Sequence, residues 1–330
     1  MKKYSVTLQK ILEILQDGHY HDGTSIGQSL QLSRTAIWKN IQKLESYHIK
    51  VLSTKNKGYA LAEPFIPLNE AYLQKHVDGH SLKIDVFESL PSTHTYLKSI
   101  ASKIPHVCVA EEQTDGRGRF ERNWYAPFGQ NIYLSMRYSF QKDVSELSGL
   151  SLMIGLSLLK SLNKFFNVSS LFFLKWPNDI LYKKKKLGGV LLEIQAEAHG
   201  ASSIIIGIGL NVNMKPHAYP DPSFEWTSLY DAFKTYINRN DLCLCLIDTL
   251  LDDLTLFDKE GFKPFFKEWP KSDALAHQQI TFTQGNKKRS GIAKGINSLG
   301  HLLIEQEGKS LEAFSSGDTA FIRPLKMDEN

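Results

Sequence analysis

A loop of alternating glycines and arginines is the feature that most constrains this chain. It covers residues 115–124 and reads Asp-Gly-Arg-Gly-Arg-Phe-Glu-Arg-Asn-Trp, with strand-like runs at 107–112 and 131–139 on either side. Glycine lets a ligand approach the backbone closely, and arginine presents a fixed fork of donors that fits carboxylate and phosphate oxygens. The pattern therefore predicts a strand–loop–strand unit that closes over an anionic ligand.

A solvated basic hairpin would have the same composition as this loop. A second basic cluster lies downstream, in Lys-Trp-Pro-Asn-Asp at 175–179 and in the four lysines at 183–186. Two separate basic clusters in one region favour an anion-binding site over a solvated surface.

The bulk properties set wide limits. A chain of 330 residues predicts two or three domains, and its formal net charge of +4 permits nucleic-acid binding without requiring it. The three cysteines fit neither a disulfide framework nor a four-ligand zinc site, which favours a reducing cytoplasm. We expect no signal peptide, because the start Met1-Lys2-Lys3-Tyr4 is not followed by an apolar segment. We expect no membrane partner, because the longest apolar candidate, at 147–166, is interrupted by serines, lysines and an asparagine.

Residues 1–63 have the pattern of a separate DNA-binding module. Leu8, Ile11, Leu12 and Leu15 mark one buried helix face, and 24–30 predicts a short second helix. Ser33 is a natural N-cap for a third helix whose residues 37, 41 and 44 face inward. Two short strands at 51–54 and 58–61 then form a hairpin, so the order is that of a winged helix-turn-helix.

The outward side of the third helix and the tip of the hairpin carry the residues predicted to contact DNA. They are Ser33, Arg34, Thr35, Trp38, Lys39, Lys55 and Lys57. Tip lysines reach phosphates and helix side chains reach base edges. A three-helix packing domain with a solvated face is the alternative, and the wing at the expected place favours DNA binding.

A proline-marked junction at 63–67 suggests a domain boundary, and residues 64–272 alternate strands and helices. Ser92 and Thr93 follow Pro91 and predict the start of a helix running towards Ile104. A long amphipathic helix is predicted over 147–165, with its apolar stripe in the core. The run at 207–211, Gly-Ile-Gly-Leu-Asn, places glycines where a ligand or neighbouring strand comes close, but it lacks the dinucleotide fingerprint. Residues 273–330 predict a small all-β barrel.

Taken together, four motifs resemble those of the bifunctional biotin protein ligase and biotin operon repressor family. The family pattern Gly-Arg-Gly-Arg-x-Gly-Arg-x-Trp stands at 116–124, Lys-Trp-Pro-Asn-Asp at 175–179, Lys-x-x-Gly-(Ile/Val)-Leu-x-Glu at 186–193 and Gly-x-Gly-x-Asn at 207–211. Two positions depart from the pattern: Glu121 replaces a glycine and His94 replaces the asparagine common after Ser-Thr. The resemblance implies an α+β protein with a winged helix-turn-helix (1–63), a central mixed α/β biotin/lipoate-ligase-like domain (64–272) and a small SH3-like β-barrel (273–330).

The resemblance also implies a two-step reaction, in which biotin and ATP give biotinyl-5′-AMP and a carrier-protein lysine then attacks this mixed anhydride. The first step pushes negative charges together, so preorganised cations are needed. Lys186 is expected on the biotin carboxylate and α-phosphate, and Arg119 is expected to stabilise charge beside it. Asp179 is a candidate for orienting the incoming amine. Lys183 to Lys185 are interpreted as a solvated charge run.

The residues expected to bind biotin or ATP come from all four motifs and from the Ser-Thr helix start. They are Ser92, Thr93, His94, Gln113, Gly116, Arg117, Gly118, Arg119, Arg122, Trp124, Lys175, Asn178, Lys186, Gly189, Gly207 and Asn211. Mg²⁺ is expected to join through the phosphates. For Trp124 and for Trp176, core packing and packing on the ligand remain equal alternatives.

The implied partners are the biotin carboxyl carrier protein of acetyl-CoA carboxylase, operator DNA and a second copy of the chain. We expect ligand to order the glycine–arginine loop and to promote dimerisation, which would present two winged helices to a palindromic operator. Two other hypotheses remain open. One is a DNA-binding biotin sensor with little turnover, and the other is a lipoate–protein ligase, which the glycine–arginine loop and the fused winged helix disfavour.

Overall fold

The computed structural model describes the chain except for residues 4, 78, 80, 103, 197–200, 217–224, 286, 307–309 and 323–330. The chain divides into two compact units. The first contains Met1–Arg137, Gly207–Asp221 and Ser228–Leu244, and the second contains Tyr138–Ile206, Pro222–Thr227 and Cys245–Asn330. Within the described ranges, no helix combines the length and the apolar composition that a membrane crossing needs.

The winged helix at the start of the first unit follows the sequence prediction closely. Its elements are α1 (Val6–Leu15), α2 (Gly23–Leu30), α3 (Arg34–Ser46), β1 (Val51–Thr54) and β2 (Gly58–Leu61). The predicted inward residues of α1 and α3 are all buried. Ser33 caps α3 by accepting a hydrogen bond from the amide of Ala36 at 3.1 Å. β1 and β2 pair antiparallel, with Val51 opposite Leu61.

Glycine is required at the base of the wing. Gly58 has φ +97°, and a Cβ at this position would lie 2.0 Å from the carbonyl oxygen of His21. The backbone of Tyr59 exchanges two hydrogen bonds with His21, each 2.8 Å long. The close approach therefore fixes the wing to the segment that precedes α2.

The rest of the first unit is built on strands β3 (Lys83–Leu90), β4 (His106–Gln113) and β5 (Ile132–Phe140), with helices α4 (Glu70–His76) and α5 (Thr93–Lys98). β4 lies parallel to β3 and antiparallel to β5, and β9 (Ser202–Leu210) follows β5 in the strand order. Helices α7 (Leu229–Phe233) and α8 (Arg239–Glu260) follow β9 in the chain.

Helix α5 is shorter than the sequence predicts, because it ends at Lys98 and not near Ile104. The guanidinium of Arg137 donates to the carbonyl oxygens of Leu97 at 3.4 Å and Ile100 at 2.8 Å. Arg137 thus contacts one carbonyl in the last turn of α5 and one just beyond the end of the helix.

A fully buried carboxylate joins the winged helix to β3. Glu88 of β3 accepts a hydrogen bond from the hydroxyl of Tyr47, the C-cap residue of α3. Lys2 lies 2.6 Å and Lys43 3.5 Å from the Glu88 carboxylate. The Tyr47 ring stacks on Phe128, with centroids 4.4 Å apart. The end of α3 is thus fixed to the strand that leads to Ser92.

The second unit contains a helical layer and a sheet. Its helices are α6 (Leu150–Phe166), the later part of α8, and α9 (Lys263–Glu268); its strands are β6 (Phe172–Lys175), β7 (Asp179–Tyr182) and β8 (Lys185–Ala196). β6 pairs with β7 and β7 with β8, all antiparallel.

The predicted apolar stripe of α6 is in the core except for Phe165, which is half-buried. The helix starts later than predicted. Leu147 lies in a 3₁₀ turn before it, and Gly149 interrupts the chain at φ +80°. A Cβ on Gly149 would lie 2.3 Å from the Phe262 ring. The helix therefore begins only after this close contact.

The described part of residues 279–322 contains a five-stranded antiparallel sheet. Its strands are β10 (Gln279–Gln284), β11 (Lys287–Ile296), β12 (Leu302–Glu305), β13 (Glu312–Phe314) and β14 (Asp318–Phe321), in the order β13-β12-β11-β10-β14. The small all-β domain is as predicted, whereas β13 was not predicted because three residues are too few to show a period of two.

Candidate ligand site and nucleic-acid interface

The start of α5 carries the first group of predicted ligand residues. Ser92 is the N-cap of the helix, and its hydroxyl accepts from the amide of Thr95 at 3.4 Å. Thr93 donates to the side-chain oxygen of Gln113 twice, from its amide at 2.8 Å and its hydroxyl at 3.0 Å. The structure therefore brings two predicted ligand residues, 20 positions apart, into direct contact. His94 lies buried in the first turn of the same helix.

Ser135 also belongs to this group, although no sequence motif points to it. Its hydroxyl lies 2.8 Å from that of Thr93, and the side chain is buried in β5. A serine in an otherwise apolar strand has no motif of its own. Only the antiparallel pairing of β4 with β5 places it against α5.

The glycine–arginine loop folds as a short hairpin. Its backbone hydrogen bonds run from Gly118 N to Arg122 O at 2.7 Å and from Trp124 N to Gly116 O at 2.8 Å. Residues 119–121 form a 3₁₀ turn at its tip. The Arg117 guanidinium pairs with Asp115 at 2.9 Å and with Glu121 at 3.1 Å. The loop is exposed and basic, and three of its residues already form an ionic group.

Trp124 closes the base of the loop against the end of β9. A Cβ on Gly209 would lie 2.6 Å from the Trp124 indole, so only glycine leaves room for this ring. A Cβ on Gly116 would lie 2.7 Å from the Trp124 carbonyl oxygen and 3.2 Å from the Gln113 side-chain nitrogen. The close approach that the Gly-x-Gly pattern predicts is thus made by a tryptophan side chain. Gly207 lies in the same strand, and Asn211 follows it, buried.

The second unit holds a group of two lysines around one carboxylate. Asp179, at the start of β7, lies 3.0 Å from Lys175 and 2.6 Å from Lys186. Lys175 and Asp179 are paired across β6 and β7, and an irregularity in the β7–β8 register follows Ile180. The side chains are partly buried, with exposed fractions of 20% for Lys175, 24% for Lys186 and 14% for Asp179. The group carries one net positive charge in a partly desolvated place.

Asn178 and Gly189 frame this group. The Asn178 side chain donates to the carbonyl oxygen of Val190 at 2.8 Å, and the Val190 amide donates back to the Asn178 carbonyl at 2.9 Å. A Cβ on Gly189 would lie 3.6 Å from Lys186 Cε and 3.7 Å from an Asp179 carboxylate oxygen, which is ordinary contact. Asn178 therefore holds the strands together rather than the lysines directly.

Two further sequence alternatives are resolved in the second unit. Trp176 is 1% exposed and donates its indole N–H to the carbonyl oxygen of Gly300 at 3.0 Å, so it is a core residue. Lys183, Lys184 and Lys185 are exposed at the β7–β8 turn. They form the solvated charge run that the sequence indicates.

The pKa of Asp179 should make the stability of the protein depend on pH. Burial acts to raise this pKa, but Lys186 and Lys175 outweigh burial and hold it below the ordinary value of 3.8. A carboxyl group with a lowered folded pKa stabilises the fold above the unfolded pKa, and this contribution is lost as pH falls through the folded pKa. We expect the difference in unfolding free energy between wild type and Asp179→Asn to shrink as pH falls below about 4. Urea unfolding of both proteins from pH 7 to pH 3 measures it; a constant difference would contradict the assignment.

The predicted DNA-contacting residues share one property. All seven are exposed, namely Ser33, Arg34, Thr35, Trp38, Lys39, Lys55 and Lys57. Trp38 is 50% exposed, a high value for an indole. The Lys57 ammonium lies 5.8 Å from the Tyr20 ring centroid, and Asn56 at the wing tip has φ +66°. The outer face of α3 and the wing are thus polar, basic and open.

Comparison with known proteins gives three family-model matches, which follow the order winged helix, central region and final β-sheet along the chain. Family models match residues 7–60 (HTH domain), 86–211 (biotin/lipoate A/B protein ligase family) and 278–321 (biotin protein ligase C-terminal domain). The bifunctional ligase/repressor BirA of Escherichia coli K12 is 35% identical over 93% of this chain and 95% of its own length. BirA of Bacillus subtilis is 30% identical over 91% of this chain and 94% of its own length.

A solved structure agrees with these matches. The biotin protein ligase from Aquifex aeolicus, determined in complex with biotin and ATP, is 27% identical and superimposes with a TM-score of 0.63. It covers 73% of this chain and 99% of its own length. Since the sequence matches extend across more than nine-tenths of the chain, the protein belongs to the family of bifunctional biotin protein ligases and transcriptional repressors.

Proposed function

We propose that this protein is an ATP-dependent biotin protein ligase that also acts as a biotin-responsive repressor of biotin synthesis genes. It joins biotin to the α-phosphate of ATP and releases pyrophosphate, and it then transfers biotin from biotinyl-5′-AMP to a lysine of a carrier protein and releases AMP. The observation that carries the enzymatic half is the group of Lys175, Asp179 and Lys186. Adenylation brings a carboxylate onto a phosphate, and two partly buried ammonium groups oppose that repulsion.

Within this proposal Lys186 stabilises the negative charge that develops on the reacting oxygens. Arg119, with Arg117 and Arg122, supplies further cations from the loop, since guanidinium groups match phosphate oxygens. Asp179 orients Lys186 and accepts hydrogen bonds from an incoming amine. Each charge-assisted contact would stabilise the negatively charged reacting groups by roughly 1.5–3 kcal/mol.

Hydrogen-bonding groups at the start of α5 would hold the uncharged end of biotin. Ser92, Thr93 and Gln113 form one hydrogen-bonded set in which donors and acceptors are already oriented, and His94 adjoins it. Gly116, Gly118 and Trp124 shape the loop base, and Gly207 and Asn211 belong to the same unit. Asn178 and Gly189 lie beside Lys186 and Asp179 in the second unit.

Mg²⁺ would enter with ATP, because it is bound chiefly by substrate phosphates in such sites. Among the described residues no group of three or more His, Cys, Asp or Glu side chains is suited to a metal ion. The acceptor we propose is the biotin carboxyl carrier protein of acetyl-CoA carboxylase. The proposal includes a cytoplasmic location. It also places domain boundaries at residues 63 and 272. Cys108, Cys243 and Cys245 are free thiols.

Biotin-dependent ATP–pyrophosphate exchange with the full-length protein and Mg²⁺ tests the enzymatic half, with lipoate as the control acid. Exchange with biotin alone is the expected result. Exchange with lipoate alone would make the protein a lipoate ligase. Biotin binding without exchange would identify a sensor, with Glu121 and His94 as the first positions to revert.

The repressor half rests on the exposed basic face of α3 and the wing. Repression would be carried by a homodimer that places two winged helices on a two-fold operator, with dimerisation promoted by the adenylate. Analytical ultracentrifugation with and without biotin and ATP measures that coupling directly. A sedimentation coefficient independent of ligand would contradict it.

Replacing Lys55 and Lys57 together with alanine should weaken operator binding. If both lysines contact phosphates, the slope of log K against log salt falls by about 2, because each released counterion contributes about 0.9. Fluorescence anisotropy on operator DNA at several salt concentrations gives the slope. The double variant Lys259→Ala/Lys263→Ala, in two exposed residues of α8 and α9, removes the same charge and should leave the slope unchanged.

A further inference from the structure

The tip of the glycine–arginine loop carries groups that hold its own arginines. The Glu121 carboxylate lies 3.1 Å from the Arg117 guanidinium, which also pairs with Asp115 at 2.9 Å. The Phe120 ring lies 4.8 Å from the Arg119 guanidinium and 5.9 Å from that of Arg122. All three loop arginines therefore have an anionic or aromatic neighbour within the loop itself.

Phe120 and Glu121 take an unfavourable backbone conformation at this tip. Both have φ +55°, which is left-handed and which residues other than glycine avoid. Phe120 is also 64% exposed and the Glu121 side chain 82% exposed. Backbone hydrogen bonds from Gly118 N to Arg122 O at 2.7 Å and from Arg122 N to Arg119 O at 3.3 Å close the turn. The contacts with the arginines are the side-chain interactions that the exposed tip residues add to it.

Glu121 and Phe120 have the same kinds of chemical group as an adenylate. The Glu121 carboxylate is anionic, as a phosphate is, and the Phe120 ring has an aromatic face, to which guanidinium groups are attracted. A nucleotide that binds the loop arginines must compete with these contacts.

We propose that Glu121 and Phe120 are positioning residues that keep the loop arginines engaged within the loop, so that ATP binds only by displacing them. The inference rests on the proposed function for the identity of the ligand. It predicts that this chain binds nucleotide more weakly than it would with a neutral residue at position 121. The contribution is modest because exposed ion pairs are weak, about two- to fivefold in affinity.

Titration calorimetry with α,β-methylene-ATP and Mg²⁺ on the full-length protein tests this without any need for turnover. Glu121→Gln keeps the backbone and the size of the side chain but removes the charge, and it should tighten binding about two- to fivefold at low salt. At about 0.5 M salt the Kd values of Glu121→Gln and wild type should be nearly equal, because salt screens the competing ion pair. Glu260→Gln, at an exposed glutamate of α8, removes one charge elsewhere and should leave the Kd unchanged.

Phe120→Ala provides a second variant and limited trypsin digestion a second readout. Both Glu121→Gln and Phe120→Ala should be cleaved faster than wild type after Arg117, Arg119 or Arg122, because the tip contacts that order the loop are lost. Equal or weaker nucleotide binding by Glu121→Gln would overturn the proposal. If Glu121→Gln binds the analogue more tightly while wild type shows no pyrophosphate exchange, the loop competition stands and the proposed catalysis fails.

Discussion

Replacing Lys186 with alanine should reduce biotin-dependent ATP–pyrophosphate exchange by about 10²–10³-fold, the usual effect of removing one preorganised group that stabilises transition-state charge. Lys186 lies 2.6 Å from Asp179, and its side chain is 24% exposed. Partial burial strengthens its interaction with a developing negative charge. The loss should appear in kcat as well as in kcat/KM, because the interaction is needed most in the transition state.

The same variant should still fold. When Lys186 is removed, Asp179 keeps its ion pair with Lys175 at 3.0 Å, so no carboxylate is left buried without a cation. Lys184→Ala is the matched control, since Lys184 is exposed at the adjoining turn. Its exchange rate should stay within about twofold of wild type, as for surface substitutions in general. If Lys186→Ala exchanged pyrophosphate at a similar rate, the catalytic assignment of this lysine would be wrong.

The features that depend on residues close together in the chain could be predicted from the sequence. The winged helix follows from apolar spacing, from a serine before α3 and from a short hairpin, all of which act within a few residues. The strands β1 and β2 have the predicted limits, and the inward faces of α1 and α3 are buried as predicted. The Lys175–Asp179 pair is also local, because a tight hairpin places them opposite each other.

Features that depend on contacts between residues far apart in the chain could not be predicted from the sequence. Ser135 meets Thr93 only because β5 pairs with β4. Arg137, about 40 residues away in the chain, contacts the Leu97 carbonyl at the end of α5. The left-handed tip of the loop was not predicted either, because Phe120 and Glu121 are residues that usually exclude that conformation.

Another contact between residues far apart in the chain is the ion pair of Glu111 and Arg239, whose side chains are both 0% exposed. Arg239 also donates to the backbone oxygens of Asn131 at 3.3 Å and Ile66 at 3.1 Å, and Glu111 accepts from the Leu68 amide at 2.7 Å. The pair thus joins β4, β5, the proline-marked junction and the start of α8 inside the first unit.

Arg239→Met should lower the free energy of unfolding by about 3–5 kcal/mol, because it leaves the Glu111 carboxylate buried without its cation. Glu111→Met should cost a similar amount by leaving the guanidinium uncompensated. Urea unfolding followed by circular dichroism measures both. As a control, Arg289→Met removes one partner of the exposed pair with Glu312, at 3.0 Å and with side chains about one-third exposed, and should cost less than about 1 kcal/mol.

The double variant Glu111→Met/Arg239→Met separates charge from packing. With both charges gone, neither is left buried alone, so the double variant should be more stable than the sum of the single losses predicts, by more than about 1 kcal/mol. It should not return to wild-type stability, because the Leu68 amide and the Asn131 and Ile66 carbonyls lose their partners, at about 1–3 kcal/mol for each buried group left unsatisfied. Additive losses would mean that the two side chains act through their backbone contacts alone. A positive coupling would mean that the charges themselves hold the junction at 64–67 against the strand that leads to Gln113.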